Sequence, residues 1–351
     1  MKNAMIAAIA ALSITTSSIA AGAASAEPVT FKDSRITIIV GYPTGGGADL
    51  TARLVAPLMS KYLPGNPTIV VQNMPGAEGV KALNHFAKQV KPDGLTLYVG
   101  SANEFDPVRS RSSAAQYDLS KLSFVGGNVR FQSVTLINKA AKNRLLDKSS
   151  SPVMMGSPGY PRSGSQTVAW GVEYLGWNVK WVTGYRGTTE IILASERGEI
   201  DMRSDSSNKD AILSQIRSGK FEVATLGGRV PSGVIVAPEY AGAPQIVEQI
   251  AGKIQDPVAK AAFDYWMTML SIDKWLALPP DTSPEIVAAH RDALLKVSGD
   301  PDFKKGAEFL ELILTDHRGF ENAVNILDQT PQAAVDFMAG ILRKQGLDVA
   351  Q

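Results

Sequence analysis

Residues Tyr42-Pro43-Thr44-Gly45-Gly46-Gly47-Ala48-Asp49 set three glycines and a hydroxyl between an apolar run and an acid that opens a helical pattern. Glycines there let backbone N–H groups approach a ligand closely, and a helix start adds unpaired N–H groups with partial positive charge. That is chemistry for holding an anion. A tight turn needing positive φ would also use glycine. Asp49 could pair with the helix dipole as readily as touch a ligand. A second stretch echoes the first: Val153 to Gly156, then Ser157-Pro158-Gly159-Tyr160-Pro161-Arg162-Ser163-Gly164-Ser165, then a helical pattern. Two helix starts facing one cleft would grip a carboxylate from both sides. Arg162 and Arg186 both lie in turns after expected strands, where a guanidinium either forks onto a carboxylate or faces solvent. Trp170, Trp177 and Trp181 cluster near the second turn and are expected in the core there.

Other chemistries fit less well. Gly45-Gly46-Gly47 does not extend to G-x-G-x-x-G, because position 50 is Leu, and no G-x-x-x-x-G-K-[ST] accompanies it. The three histidines, His85, His290 and His317, have no metal-ligand spacing. Ser163 and Ser165 flank Gly164 in an order unlike the G-x-S-x-G elbow. Asp201 and Asp205 could share acid–base work, or be one strand-face acid and one loop acid. No catalytic residue, cofactor or metal is expected.

The elements that must position these residues alternate. Ile36 to Gly41 reads as a buried strand, and Leu50, Leu54 and Leu58 form the apolar stripe of a following helix, which Pro57 should kink or stop. Thr68–Gln72 and Leu95–Gly100 are further strands, with residues 78–90 helical between them. Strands at 131–138, 152–156, 179–183 and 200–204 alternate with helices at 166–175 and 188–197, and the C-terminal hundred residues read as mostly helical. Alternation of this kind means α/β with a largely parallel sheet.

The chain has 351 residues and no cysteine, which rules out disulfides, Cys-bound zinc and a thiol nucleophile. It opens with Lys2, an Ala/Ile-rich core and Ala24-Ser25-Ala26, the pattern of an export signal cleaved before Glu27. Lys2 is the only charge in that segment, so the rest balances at 34 basic against 34 acidic side chains. Net neutrality disfavours nucleic acid as a partner. No later segment reads as a membrane span.

The motifs together resemble the Bug-type solute-binding proteins of tripartite tricarboxylate transporters. They are Pro43-Thr44-Gly45-Gly46-Gly47-Ala48-Asp49, Ala52-Arg53-Leu54, Asn73-Met74-Pro75-Gly76-Ala77-Glu78-Gly79, Asp93-Gly94-Leu95-Thr96-Leu97, Gly184-Tyr185-Arg186-Gly187 and Gly198-Glu199-Ile200-Asp201. The resemblance implies a periplasmic-binding-protein fold, type II-like, with two α/β domains hinged around a cleft. Expected limits are 27–128 with 229–351 for one domain and 129–228 for the other, with hinges near Gly126-Gly127 and Gly227-Gly228. It implies a carboxylate held by residues 42–49 and 157–165 through backbone amides and water, with Ser101-Ala102-Asn103 and Asp205 nearby. The candidate ligand-binding residues are Tyr42, Pro43, Thr44, Gly45, Gly46, Gly47, Ala48, Asp49, Ser101, Ala102, Ser157, Arg162, Ser163, Gly164, Ser165, Tyr185, Arg186, Gly187 and Asp205. Its partners would be a small organic carboxylate and the permease subunits of a tripartite transporter, and the receptor would be a periplasmic monomer. A signalling sensor, or an exported hydrolase using Ser157 or Ser165, are the competing readings. Arg162 and Arg203 depart from the family pattern, and extra arginine near the cleft would favour a dianionic ligand.

Overall fold

The apolar run Arg35–Val40 forms strand β1, in which Ile36, Ile38, Ile39 and Val40 are all buried. Burial of neighbours on both faces requires a sheet covered on both sides. The glycine turn feeds α1 (Gly47–Tyr62), whose Ala52, Val55, Ala56 and Met59 pack inward. Pro57, expected to kink or stop this helix, lies inside it, and the helix continues to Tyr62. Pro57 and Arg53 are both exposed, so the carbonyl that loses its donor faces water.

The structure is a computed structural model that describes residues 28–129, 133–159, 162–206, 208–228, 238–240, 242–310 and 313–347, with backbone only over 308–310. The expected export segment and Glu27 lie outside the described residues, as do Tyr160 and Pro161. After α1 come β2 (Thr68–Asn73), α2 (Val80–Gln89), β3 (Thr96–Ser101), α3 (Pro107–Ser110) and β4 (Ser123–Val129). Then follow β5 (Ser133–Asn138), β6 (Val153–Gly156), α4 (Ser163–Leu175), β7 (Val179–Val182), α5 (Thr188–Arg197), β8 (Met202–Asp205), α6 (Lys209–Arg217) and β9 (Phe221–Gly227). The remainder holds α7 (Ile246–Ala251), α8 (Pro257–Ser271), β10 (Ile272–Leu278), α9 (Pro284–Gly299), α10 (Pro301–Leu310), β11 (Ile313–Asp316), α11 (His317–Asp328) and α12 (Gln332–Lys344).

Two sheets result, of order β11-β4-β10-β3-β1-β2 and β7-β6-β8-β5-β9. The α/β class is as expected, but both sheets are mixed rather than largely parallel. β1 runs parallel to β2 and β3, while β10 is antiparallel to β3 and β4. β6 is parallel to β7 and β8, and β5 is antiparallel to β8 and β9. The antiparallel strands are the ones the sequence hid. β10 follows α8 without a break and carries Asp-Lys inside an apolar run, so it reads as more helix. β4 contains Gly126-Gly127, which reads as a break. These glycines are not a linker at all. Gly127 passes so close to β10 that a Cβ would stand 2.2 Å from the Lys274 carbonyl oxygen.

One apolar core runs from the larger sheet to the smaller through α4, α8 and α12, joining Tyr98, Phe124 and Trp275 to Met155, Trp170 and Met202. Trp170 stands at its centre, 5.5–5.7 Å ring to ring from Tyr174, Phe263 and Trp266. Trp177 is buried too, while half-buried Trp181 donates its indole N–H to Gln345 Oε1 at 3.1 Å. On the opposite side of the larger sheet, His290 of α9 is fully buried, with Nε2 3.0 Å from the Gly94 carbonyl oxygen and its ring against Phe31. Burial, only partly offset by that hydrogen bond, lowers its pKa from 6.5 to about 4. The folded state therefore refuses a proton that the unfolded chain accepts. Stability is complete above pH 6.5 and falls as the pH drops toward 4. Between pH 7 and pH 5 the loss is about 2 kcal/mol. Urea unfolding should show this acid slope in the native sequence and find it reduced by that amount in His290→Gln; equal slopes would mean His290 is already charged in the fold.

Candidate functional site

Three helices begin at one cavity of about 1000 Å³ between the two sheets. α1 contributes Gly46, Gly47 and Ala48, α4 contributes Gly164 and Ser165, and α5 contributes Gly187, Thr188, Thr189 and Glu190. None of the three has a side-chain cap, their N-cap residues being Gly46, Arg162 and Gly187. Away from the cavity the pattern is mixed: α8, α9 and α11 are capped by Asp256, Ser283 and Asp316, while α6, α7 and α12 start without a side-chain cap. The first N–H groups of a helix have no carbonyl partner within it. A cavity ringed by uncapped starts therefore offers donors and partial positive charge to an anion.

The first turn is braced from below. Asp49 is buried, and its carboxylate accepts from Gly45 N–H at 2.9 Å, Asn73 Nδ2 at 2.9 Å and Arg53 Nε at 3.0 Å. Burial raises its pKa, but the bonds from Arg53, Gly45 and Asn73 outweigh this and hold it below the ordinary carboxylate range. Of the three consecutive glycines, Gly45 has φ +79°, a backbone region that favours glycine. Gly46 is extended, and a Cβ there would meet nothing closer than the Pro43 carbonyl oxygen at 3.4 Å.

Behind the turn lies a buried polar knot. Tyr42 donates to the Glu78 carbonyl oxygen at 3.0 Å, and Tyr98 donates to Glu104 Oε1 at 3.0 Å. Glu104 also accepts from Ser101 N–H at 2.8 Å, closing a capping box with Ser101. Burial pushes Glu104 up to about 7 against these bonds. Gly79, at φ +95°, lets the chain pass so close that a Cβ would stand 2.2 Å from Glu104 Oε1.

The two sides of the cavity touch. Arg162 Nε donates to Glu78 Oε2 at 2.7 Å, Nη1 donates to Thr188 Oγ1 at 2.8 Å, and the guanidinium lies 5.7 Å from the Tyr42 ring centroid. Burial works against the Arg162 charge, and the Glu78 carboxylate more than offsets it. Gln166 Nε2 donates to Asp106 Oδ2 at 2.7 Å, and a Cβ on Gly187 would lie 3.7 Å from Pro43.

Most of the expected residues meet at this cavity: Tyr42, Pro43, Thr44, Gly46, Gly47, Ala48, Ser101, Arg162, Gly164, Ser165, Tyr185, Arg186, Gly187 and Asp205 line it. Five do not. Gly45 supplies the bend and Asp49 the brace. Ala102 is buried in the core, Ser157 is buried with its N–H on the Val182 carbonyl oxygen, and buried Ser163 accepts at its carbonyl from Trp266 Nε1. Arg186 lies at the rim, exposed and paired with Glu190. Arg203 does not line the cavity; it is buried behind it, with Nη1 2.8 Å from Asp205 Oδ2 and Nε 2.7 Å from Gln215 Oε1. The expected extra charge is thus neutralised by Asp205.

Among the lining residues that sequence reasoning missed are Glu78, Arg109, Ser133 and Lys274. Glu78 sat inside a quoted motif but was read only as the start of the helical segment 78–90. Arg109, whose Nη1 donates to the Ala77 carbonyl oxygen at 3.0 Å, carries no pattern around it. Lys274 did have a signal, since a Lys beside an Asp inside Ile-Asp-Lys-Trp-Leu-Ala-Leu is out of place in a buried run. Among the described residues no group of three or more His, Asp or Glu could hold a metal, and no helix is long and apolar enough to cross a membrane.

No family model matches the chain. It is 38% identical over 79 residues to a UPF0065 protein encoded in the gbd 5′ region of Cupriavidus necator. It is 37% identical over 92 residues to a UPF0065 protein of Bordetella pertussis. These matches cover 22% and 26% of this chain, and 23% and 28% of the relatives' own lengths, so the likeness spans about a quarter of each relative. Among solved structures, the periplasmic binding protein BugD matches with TM-score 0.64 at 19% identity, over 90% of this chain and 98% of BugD. MatC from Rhodopseudomonas palustris with bound malate matches with TM-score 0.61 at 18% identity, over 88% and 99%. Another R. palustris protein, solved with adipate, gives 0.64 at 17%, over 89% and 98%. The periplasmic-binding-protein fold is thereby shown, and the resemblance to Bug-type proteins is borne out.

Asp49 as brace is separable from Asp49 as ligand contact. In protein stripped of ligand, Asp49→Ala should cost about 2 kcal/mol, because the Gly45 N–H and Asn73 amide lose a buried acceptor. Arg53→Ala, which removes a half-exposed partner, should cost less than about 1 kcal/mol. Chemical unfolding of both variants measures this, and an Asp49 variant as stable as the parent would return that carboxylate to the ligand.

Proposed function

We propose that the protein is a Bug-type periplasmic solute-binding receptor that captures a small organic carboxylate and delivers it to the permease of a tripartite tricarboxylate transporter. One observation carries this reading: α1, α4 and α5 all start uncapped at a single cavity between two sheets. A carboxylate placed there would accept from the N–H groups of Gly47, Ala48 and Ser165, aided by the Thr44 and Ser165 hydroxyls. Three cations at the wall already have carboxylate partners, Arg162 with Glu78, Arg186 with Glu190 and Lys274 with Asp273, and Arg109 donates to the Ala77 carbonyl oxygen. Neutral backbone donors and water then do most of the holding, which suits a receptor that must also release its cargo. Malate in MatC and adipate in the other R. palustris protein support an acid as the cargo.

We take the two sheets as the two domains, 27–128 with 229–351 and 129–228, opening near the end of β4 and the end of β9. Gly227 ends β9, and Gly228, at φ +89°, turns the chain out of the sheet. A ligand touching both sides favours the closed arrangement, and the permease would read that state. A Ser-His type of hydrolysis lacks its partner at the cavity: Ser165 lines it, but none of the three histidines does.

Thermal shift on protein unfolded and refolded to strip carried-over ligand tests the reading, with mono-, di- and tricarboxylates, amino acids and sugars as the panel. A true ligand at ~100 times its dissociation constant should add about 2.7 kcal/mol. Gly46→Leu should retain the fold and lose that stabilisation, because its side chain would occupy the anion position. A panel in which only neutral sugars stabilise, or a Gly46→Leu variant that binds acids as the parent does, overturns it.

A further inference from the structure

Lys274 sits where regular geometry would not put it. From Ile272 to Trp275, β10 advances three residues while its partner β4 advances two, from Val129 to Gly127. One extra residue on β10 is a β-bulge, a device that re-aims side chains. Neighbouring side chains on a regular strand point to opposite faces. Here Asp273 and Lys274 instead form an ion pair with each other, both buried. Asp273 has a second anchor, Asn128 Nδ2 at 3.0 Å from its Oδ2. Lys274 lines the cavity, directly opposite Ser101 on β3, which lines it as well. Ser133, at the start of β5, is the third polar residue of this strand-built wall. It is fully buried, and its hydroxyl has no hydrogen-bond partner among the described residues.

A buried hydroxyl without a partner at a cavity wall is unfavourable unless something there uses it, and Lys274 brings a positive charge to the same wall. We infer that Lys274, with Ser133 and Ser101, forms a second anion subsite, separate from the helix starts, so that the pocket selects acids carrying a second acidic group. This rests on the proposed receptor function and deepens it. A distal carboxylate would draw the Lys274 ammonium toward the cavity, while Asn128 keeps Asp273 partnered. The wall residues Arg109, Arg162 and Asp205 stay with the partners described above. Lys274 is then a specificity-determining residue.

The test is calorimetric titration of the stripped full chain with matched pairs of straight-chain acids, each dicarboxylate from C4 to C6 against the monocarboxylate of equal length. The best dicarboxylate should bind ~10–100-fold more tightly than its partner, the worth of one charge-assisted hydrogen bond. Lys274→Met should collapse that ratio to within about threefold. Ser133→Ala should lower it by a smaller factor. Because Lys274→Met leaves Asp273 buried without its cation, Asp273→Asn/Lys274→Met is made alongside, and it should show the same collapsed ratio. A variant that weakens both acids equally, keeping the ratio, makes Lys274 merely structural and overturns the inference while the receptor reading stands. A parent protein without preference for the second carboxylate overturns it too. Binding of no acid at all removes the receptor reading and this one with it.

Discussion

A helix that begins at a strand end without a capping side chain leaves N–H donors that something else must satisfy. The architecture depends on that constraint at three places. Gly46, Arg162 and Gly187 stand at N-cap positions where Ser, Thr, Asp or Asn would have satisfied a donor locally. Such a residue would have stabilised α4 by about 1 kcal/mol and the two glycine-started helices by roughly a few tenths of that. α6, α7 and α12 also start without a side-chain cap, so what sets α1, α4 and α5 apart is that their starts converge on one cavity, where the donors can meet a visiting acceptor. The surrounding structure holds these starts in place: Asp49 fixes the first turn, and the Asn103–Ser163 and Trp266–Ser163 contacts fix the second.

Charge at the site is balanced rather than concentrated. Arg162 answers Glu78, Arg203 answers Asp205, and Lys274 answers Asp273. Removing one partner of a buried pair leaves an uncompensated charge and is costly, whereas the intact pair adds little net stability. These pairs are therefore better understood as positioning devices. The Glu78–Arg162 pair draws the turn after β2 toward the start of α4 and lays the guanidinium over Tyr42. The Arg203–Asp205 pair fixes the end of β8 so that Ser204 and Asp205 reach the cavity wall.

The sequence displayed what is local and periodic. Buried strands such as Ile36–Val40, the stripe of α1 and the two glycine-rich turns are short-range patterns, and they appear where the pattern puts them. β10 was hidden because its burial comes from both neighbours, β3 and β4, which lie far away in the chain. Gly126-Gly127 looked like a hinge because glycine marks both flexibility and close packing, and only the 2.2 Å approach to the Lys274 carbonyl oxygen separates the two. At the site, backbone-donor positions were legible because glycine and helix starts announce them. Arg109 and Ser133 were not, and Lys274 showed only as a misplaced charge, since a side chain's arrival at a cavity depends on tertiary register. Asp49 shows the converse: its place in the motif was visible, but whether its carboxylate faced outward or inward depended on Asn73 and Arg53.

The two sides of the molecule differ in what it takes to separate them. Around Trp170, helices α4, α8 and α12 share an apolar core with the larger sheet, and opening there would expose fully buried aromatic surface at roughly 25 cal/mol per Å². Across the cavity, the contacts are mostly polar, Arg162 with Glu78, Gln166 with Asp106 and Ser163 N–H with Asn103, and Gly187 approaches Pro43. Water can satisfy polar groups that part there, whereas buried aromatic surface gains nothing from it. Separation should therefore begin at the cavity mouth and pivot on the tryptophan side. Such a gap between sides is small enough for a ligand to command. Moving a two-state equilibrium from 1:99 to 99:1 needs about 5.5 kcal/mol of differential binding, and a handful of backbone and charge-assisted hydrogen bonds that form only when both turns reach the same acid can supply it.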